Sequence, residues 1–321
     1  MKIGKIVLKS NLILPAIAGY ADPGFRMLCH RFGAALTCTG MISAKGLMYG
    51  NKKSGLLLAT HESEDIKVVQ LFGNDASIIA SAIESRELEK FDIIDLNFGC
   101  PMRKIISNGD GSAIMNDSKA LFTIINAAVV AAKDRPITVK MRSGPSRNNR
   151  NVVELARIAE EAGASAITVH GRTVEDLYSG NSDNEIIADV KKAIKIPVIG
   201  NGDVKDRESC LKMINDTGVD GVAIARAAIG APYVFQEIMG ERPDINISEL
   251  IKEHFNQLVS IFPESVAVNN IKKHILAYLK HIPNSKQLKV SVCKIESSQE
   301  FNTQINLLER ILEEQKSFQK H

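Results

Sequence analysis

The chain is 321 residues long, 45% hydrophobic and 24% charged, with a formal net charge of +3. These values place it among ordinary soluble globular proteins, large enough for one big domain or a domain with an appendage. No apolar run approaches the roughly 20 residues that cross a membrane, and the start Met1-Lys2-Ile3-Gly4-Lys5 lacks the long apolar core and small-residue cleavage site of a signal peptide. Five widely spaced cysteines argue against a disulfide framework and for a reducing cytoplasm. None of their spacings is that of a zinc or iron–sulfur site, so no metal is expected.

From residue 12 to 230 one pattern repeats: a short apolar run, a glycine-rich or polar loop, then a helical stretch. The runs are Leu12–Ala18, Ala35–Met41, Ile66–Phe72, Phe91–Asn97, Ile137–Arg142, Ala166–His170, Ile196–Gly200 and Gly221–Ala225. Helical spacing fills the gaps, as in Leu121-Ile124-Ile125-Ala128 and Val152-Leu155-Ala156-Ala159. Runs apolar on both faces suit a parallel sheet covered by helices, and eight such units predict a (β/α)8 barrel. A doubly wound open sheet is the alternative, weakened by the absence of Gly-x-Gly-x-x-Gly after the first run.

The fourth run ends in Asp95-Leu96-Asn97-Phe98-Gly99-Cys100-Pro101. That reads as a buried strand delivering a thiol and an amide to a loop. Such a thiol serves as nucleophile, general acid or metal ligand, or is an inert buried cysteine. In a barrel, chemistry sits at the carboxyl ends of the strands. Those ends carry Gln70, Asn97 with Cys100, Lys140 with Arg142, His170 with Arg172, Asn201-Gly202-Asp203 and Arg226. The small residues Gly200, Gly202, Ala225 and Ala227 beside Arg226 suit a phosphate after strands seven and eight. Arg147 and Arg150, with Arg103 and Lys104, suggest a basic rim facing an anionic macromolecule.

After Gly230-Ala231-Pro232 the pattern changes, and Glu241-Arg242-Pro243-Asp244 reads as a linker. The expected organisation is a barrel over 1–240 and a small all-helical domain over 241–321. Between Ser265 and Ile295 there are six lysines and no acidic residue. On a helix from about 269 to 282, Ile271, Ile275, Tyr278, Leu279 and Ile282 share one face, with Lys273, Ala277 and Lys280 opposite. A lysine-rich solvated face and a nucleic-acid contact are both open readings of that pattern.

The chain resembles the tRNA-dihydrouridine synthases, most nearly the bacterial B-type group. The resemblance is carried by Ala18-Gly19-Tyr20-Ala21-Asp22-Pro23-Gly24-Phe25-Arg26, Val69-Gln70-Leu71-Phe72-Gly73, the Asn97-to-Pro101 motif, Val139-Lys140-Met141-Arg142-Ser143-Gly144, Thr168-Val169-His170-Gly171-Arg172-Thr173, Ile199-Gly200-Asn201-Gly202-Asp203-Val204 and Ala225-Arg226-Ala227-Ala228. It implies a barrel holding flavin mononucleotide (FMN), reduced by NADPH, with a helical tRNA-binding domain and no obligate protein partner. By resemblance, Ala16, Ile17, Ala18, Gln70, Lys140, His170, Asn201, Gly202, Asp203, Ala225 and Arg226 hold FMN. Cys100 is the catalytic acid and Asn97 holds the uracil. Arg142, Arg172, Lys273 and Lys280 complete the expected substrate contacts. The family's Ala-Pro-Met-Ala-Gly stands here as Pro15-Ala16-Ile17-Ala18-Gly19, its usual glycine before the arginine as Ala225, and an often-found arginine as Lys289.

Three other functions fit parts of the pattern. They are an FMN barrel acting on a free pyrimidine, a tRNA-binding protein without catalysis, and a Schiff-base aldolase using Lys140.

Overall fold

Eight parallel strands form a closed barrel in the computed structural model, which describes residues 1–318. Two short strands, β1 (Lys2–Ile3) and β2 (Ile6–Val7), precede it as an antiparallel hairpin. The barrel strands are β3 (Leu12–Leu14), β4 (Leu36–Ser43), β5 (Lys67–Phe72), β6 (Ile93–Phe98), β7 (Ile137–Arg142), β8 (Ala166–His170), β9 (Val198–Asn201) and β10 (Gly221–Ala223). They pair in chain order, and β10 closes the ring on β3 through Val222 with Leu12 and Ala223 with Ile13.

Burial explains the apolar runs. All six residues of β6 and all five of β8 are buried, because helices cover the outer face and side chains fill the inside. The covering helices turn Leu121, Ile124, Ile125 and Ala128, and Val152, Leu155, Ala156 and Ala159, onto the strands. The first run is shorter than its sequence suggests: β3 stops at Leu14, and Pro15 to Ala18 form the loop above it. β4 slips register between Cys38 and Met41, a bulge at Thr39-Gly40. The hairpin was not expected, since two-residue strands leave no periodic signal. It seats buried Ile3 against Leu36, Ile93 and Ile199 and closes the bottom of the barrel.

Phe235 and Ile238 still pack in the barrel's core, whereas Leu250 onward belongs to a second cluster. That cluster is built on the helices Ile247–Ile261, Glu264–Tyr278, Lys286–Val292 and Ser298–Phe318. Phe301, Ile305 and Leu308 are buried there, and Phe301 stacks on Phe255 at 3.9 Å. Positions 319–321 of the expected helical segment lie outside the described residues. Met27 and Leu28, from the helix Pro23–Arg31 that follows β3, and Phe32, which caps its end, join the same cluster. The two units therefore share apolar core. Among the described residues no helix is long and apolar enough to cross a membrane.

One expectation about the lysine-bearing helix needs correction. Its apolar face packs as expected, but the opposite face meets the barrel rather than solvent. Gly230, at φ +79°, lies so close that a Cβ there would come within 2.5 Å of the Ala277 carbonyl. Lys273 is half-buried with its ammonium 6.0 Å from the centre of the Tyr20 ring. The helix ends at Tyr278, and Lys280 belongs to the 3-10 turn that follows.

Candidate active site

The carboxyl ends of the strands open into a cavity of about 750 Å³. Ala16, Ile17 and Ala18 line it above β3, Gln70 from β5, Asn97 from β6, Lys140 and Arg142 from β7, and His170 from β8. Asn201, Gly202 and Asp203 enter after β9, Ala225 and Arg226 after β10, and Lys280 from the helical segment. Cys100 reaches it from the loop beyond β6.

That loop is held from three sides. Asn97 Oδ1 accepts the backbone N–H groups of Gly99 and Cys100, at 3.0 and 2.9 Å. Arg142 Nε donates to the Gly99 carbonyl at 3.1 Å, and Ser112 Oγ donates to the Cys100 carbonyl at 2.8 Å. Gly111, at φ +60°, lets the returning chain pass beneath, where a Cβ would lie 2.9 Å from Ile105 and 3.3 Å from the Cys100 Cβ. Burial raises the Cys100 thiol above its usual pKa, against the opposing Met102 N–H and the Arg142 and Lys140 charges. The thiol is therefore protonated at neutral pH.

The adjoining wall, starting on the neighbouring strand β7, is cationic. Lys140 is half-buried, and desolvation with the neighbouring Arg142 charge lowers its pKa to about 8, while Asp95 supports the charged form. His170 is pushed down to about 2 by burial, then by Lys140, Arg142, Arg172 and Arg226. A neutral imidazole in the physiological range can accept or donate one hydrogen bond but is no proton reservoir. Arg226 donates to Asp203 Oδ1 at 3.0 Å and is half-exposed. Asp203 occupies a left-handed conformation (φ +55°) next to Gly202 at φ +130°. A Cβ on Gly202 would lie 2.1 Å from Ser182 Oγ, so only glycine fits that turn.

Two expected substrate contacts lie elsewhere. Arg172 is buried behind the wall, bonded to the Ser179 and Gly180 carbonyls at 3.0 and 2.5 Å and to Asp203 Oδ2 at 2.8 Å. It holds the loop after β8. Lys273 sits at the seam over Tyr20, as described above. The basic rim is also partly neutralised, because Arg147 pairs with Asp176 at 2.7 Å and Arg150 with Asp183 at 2.6 Å. Arg103 and Lys104 are exposed or nearly so beyond Cys100.

Tyr178 and Asn181 line the cavity unannounced. Tyr178 is exposed, with the guanidinium carbons of Arg142 and Arg226 5.6 and 5.5 Å from its ring centre. An aromatic residue within the polar stretch 175–184 was the available signal.

The dihydrouridine synthase family profile matches residues 13–316.

The chain belongs to the dihydrouridine synthase family.

It is 36% identical over 307 residues to tRNA-dihydrouridine synthase B of Pseudomonas aeruginosa, covering 93% of this chain and 92% of that one. A probable tRNA-dihydrouridine synthase of Rickettsia conorii is 38% identical over 302 residues, covering 91% of each. Among solved structures, histamine dehydrogenase from Rhizobium sp. 4-9 aligns with a TM-score of 0.56 at 14% identity, over 80% of this chain and 50% of that one. A variant of NCR from Zymomonas mobilis gives 0.56 at 14% identity, over 77% and 91%. At that identity these two speak for the barrel fold alone. In this dihydrouridine synthase the departing segment Pro15–Ala18 still lines the cavity, as does Ala225.

Proposed function

We propose that the chain reduces the 5,6 double bond of uridines in tRNA to dihydrouridine, using FMN re-reduced by NADPH, as a cytoplasmic enzyme. The observation that carries this reading is the pairing of a thiol kept protonated by burial with a half-buried ammonium, both lining one cavity.

The donor set suits FMN. Arg226 and the turn at Gly202 and Asp203 offer a cation and backbone N–H groups to a phosphate. Lys140 offers a cation to the ring carbonyl that gains charge on reduction. Ile17, Met41 and Ala223 supply apolar wall. Bound there and reduced, the flavin would supply a hydride for C6 of the uracil.

Cys100 then gives its proton to C5, which completes the addition of two hydrogens. The Met102 N–H and the charges of Arg142 and Lys140 stabilise the thiolate left behind, and solvent returns the proton. Asn97 holds the cysteine loop through its oxygen and can offer amide N–H to the uracil. A uridine must leave its stack to enter such a cavity. Lys280 at the mouth, with Arg103 and Lys104, would steady the surrounding phosphates.

The test is dihydrouridine formation in unmodified tRNA transcripts with NADPH and FMN, comparing the protein with Cys100→Ala. Product at a defined position, lost by a factor of about 100 or more in the variant, is expected. Flavin-loaded protein that reduces a free pyrimidine as well as it reduces tRNA would overturn the substrate, and normal turnover in Cys100→Ala would overturn the acid.

A further inference from the structure

From the cavity floor downward a line of hydrogen bonds crosses three strands. Thr138 Oγ1 on β7 donates to Asp95 Oδ1 at 2.6 Å. Gln70 Nε2 on β5 donates to Asp95 Oδ2 at 2.6 Å. Asn97 Nδ2 donates to Gln70 Oε1 at 2.6 Å, and Asn97 Oδ1 accepts the N–H groups of Gly99 and Cys100. Gln70 and Asn97 line the cavity, whereas Asp95 lies below it, 8% exposed.

The direction of this line is set at both ends. A carboxylate only accepts, and a backbone N–H only donates. If Gln70 turned over, its oxygen would face the Asp95 carboxylate and its N–H₂ would face that of Asn97. If Asn97 also turned, its N–H₂ would meet the Gly99 and Cys100 N–H groups. Each reversal buries donor against donor or acceptor against acceptor, at a cost of roughly 1–3 kcal/mol per unpaired group.

We infer that Asp95 is a positioning residue. By accepting from Gln70 it fixes both cavity amides in one orientation and, through Asn97, holds the Cys100 loop with its thiol at the site. The consequence for catalysis rests on the function proposed above, but the consequence for Cys100 does not. The needed property is an acceptor oxygen facing Gln70. Asp95→Asn supplies one, because the new N–H₂ can donate to the Thr138 hydroxyl. Asp95→Ala does not. Gln70→Met cuts the line at its second link while keeping the side chain's length.

The test follows alkylation of Cys100 by iodoacetamide in flavin-free protein, read on the Cys100 peptide by mass spectrometry so that exposed Cys293 does not interfere. Melting curves check that each variant is folded. Asp95→Ala and Gln70→Met should react about fivefold faster, the loosening that one lost hydrogen bond permits, and Asp95→Asn at the wild-type rate. With tRNA and reduced flavin, Asp95→Ala should lose kcat with KM for tRNA unchanged, and Asp95→Asn should restore it. Wild-type alkylation in Gln70→Met would overturn the inference, even if Asp95→Ala did not fold. Fast alkylation in Asp95→Asn would assign the effect to charge and overturn it too. If the wild-type protein forms no dihydrouridine, the functional reading fails, and the alkylation comparison still decides the role of Asp95.

Discussion

His274 donates its Nε2–H to Asp22 Oδ2 across 2.6 Å, joining the helical segment to the loop above β3. His254 makes the matching bond to Asp22 Oδ1 at 2.9 Å, and its Nδ1 lies 3.1 Å from the Tyr278 hydroxyl. Asp22 also caps the helix Pro23–Arg31 by accepting the Phe25 N–H. One carboxylate thus serves three donors from three helices. The three side chains could each offer one atom to a metal ion, these atoms lying within 4.8 Å of one another. Each histidine Nε2 is already committed to its own carboxylate oxygen, so the cluster reads as a clasp.

Asp22→Ala should cost about 3 kcal/mol of stability, through two buried charge-assisted hydrogen bonds and a helix cap. Urea unfolding measures it. A loss under about 1 kcal/mol would mean that apolar packing between the units carries the junction alone.

The same cluster predicts a pH dependence. Burial, outweighing the Asp22 charge, lowers the His274 pKa from 6.5 to about 4. A base whose folded pKa is depressed contributes stability that is complete above 6.5 and is lost as pH falls toward 4. Burial alone would raise the Asp22 carboxyl, but His274 and His254 hold it well below its usual value, so its contribution persists to lower pH. Stability should decline between pH 6.5 and 4 by up to about 1.4 kcal/mol per pH unit from this one proton. His274→Gln should flatten that slope.

Lys140 is charged below about pH 8. Turnover that needs this cation should fall as pH rises through 8, and Lys140→Arg should move the alkaline limb upward. Lys140→Met should lose roughly a hundredfold in kcat at neutral pH. Single-turnover kinetics across pH 6 to about 10 would show both effects.

Arg226→Ala should weaken FMN affinity about tenfold or more, the value of a charge-assisted bond to phosphate, without disturbing the fold. Flavin fluorescence titration measures it. Unchanged affinity would place the phosphate elsewhere.

Lys280→Glu and Lys273→Glu should now behave differently, although sequence spacing makes them equivalent. Lys280 is exposed at the cavity mouth, so its reversal should weaken tRNA binding and lower the salt slope by about 1. Lys273 is half-buried over Tyr20, so its reversal should lower the melting temperature as well. Filter binding at two salt concentrations, beside melting curves, separates the two.

The barrel was legible because its strands are buried on both faces, which forces short continuous apolar runs, and because polar side chains gather at the end of six of the eight runs. Cys100, Lys140, His170 and Arg226 stood out for that reason, and the resemblance to the family placed them in one reaction. Short-range logic of this kind travels well in sequence: a strand's burial and the residue at its end are neighbours along the chain.

The clasp, the roles of Arg172 and Lys273, and the line from Thr138 to Cys100 did not stand out. Asp22 and His274 are far apart in sequence, and neither belongs to an apolar period that would flag it. Arg172 and Arg142 look alike as strand-end arginines. Arg172 spends its donors behind the wall on the loop after β8 and on Asp203, while Arg142 borders the cavity and divides its donors between the Cys100 loop, at the Gly99 carbonyl, and the Thr173 and Leu177 carbonyls of the loop after β8. Hydrogen-bond direction depends on which acceptor closure of the barrel brings opposite each donor, and that closure is a property of all eight strands together.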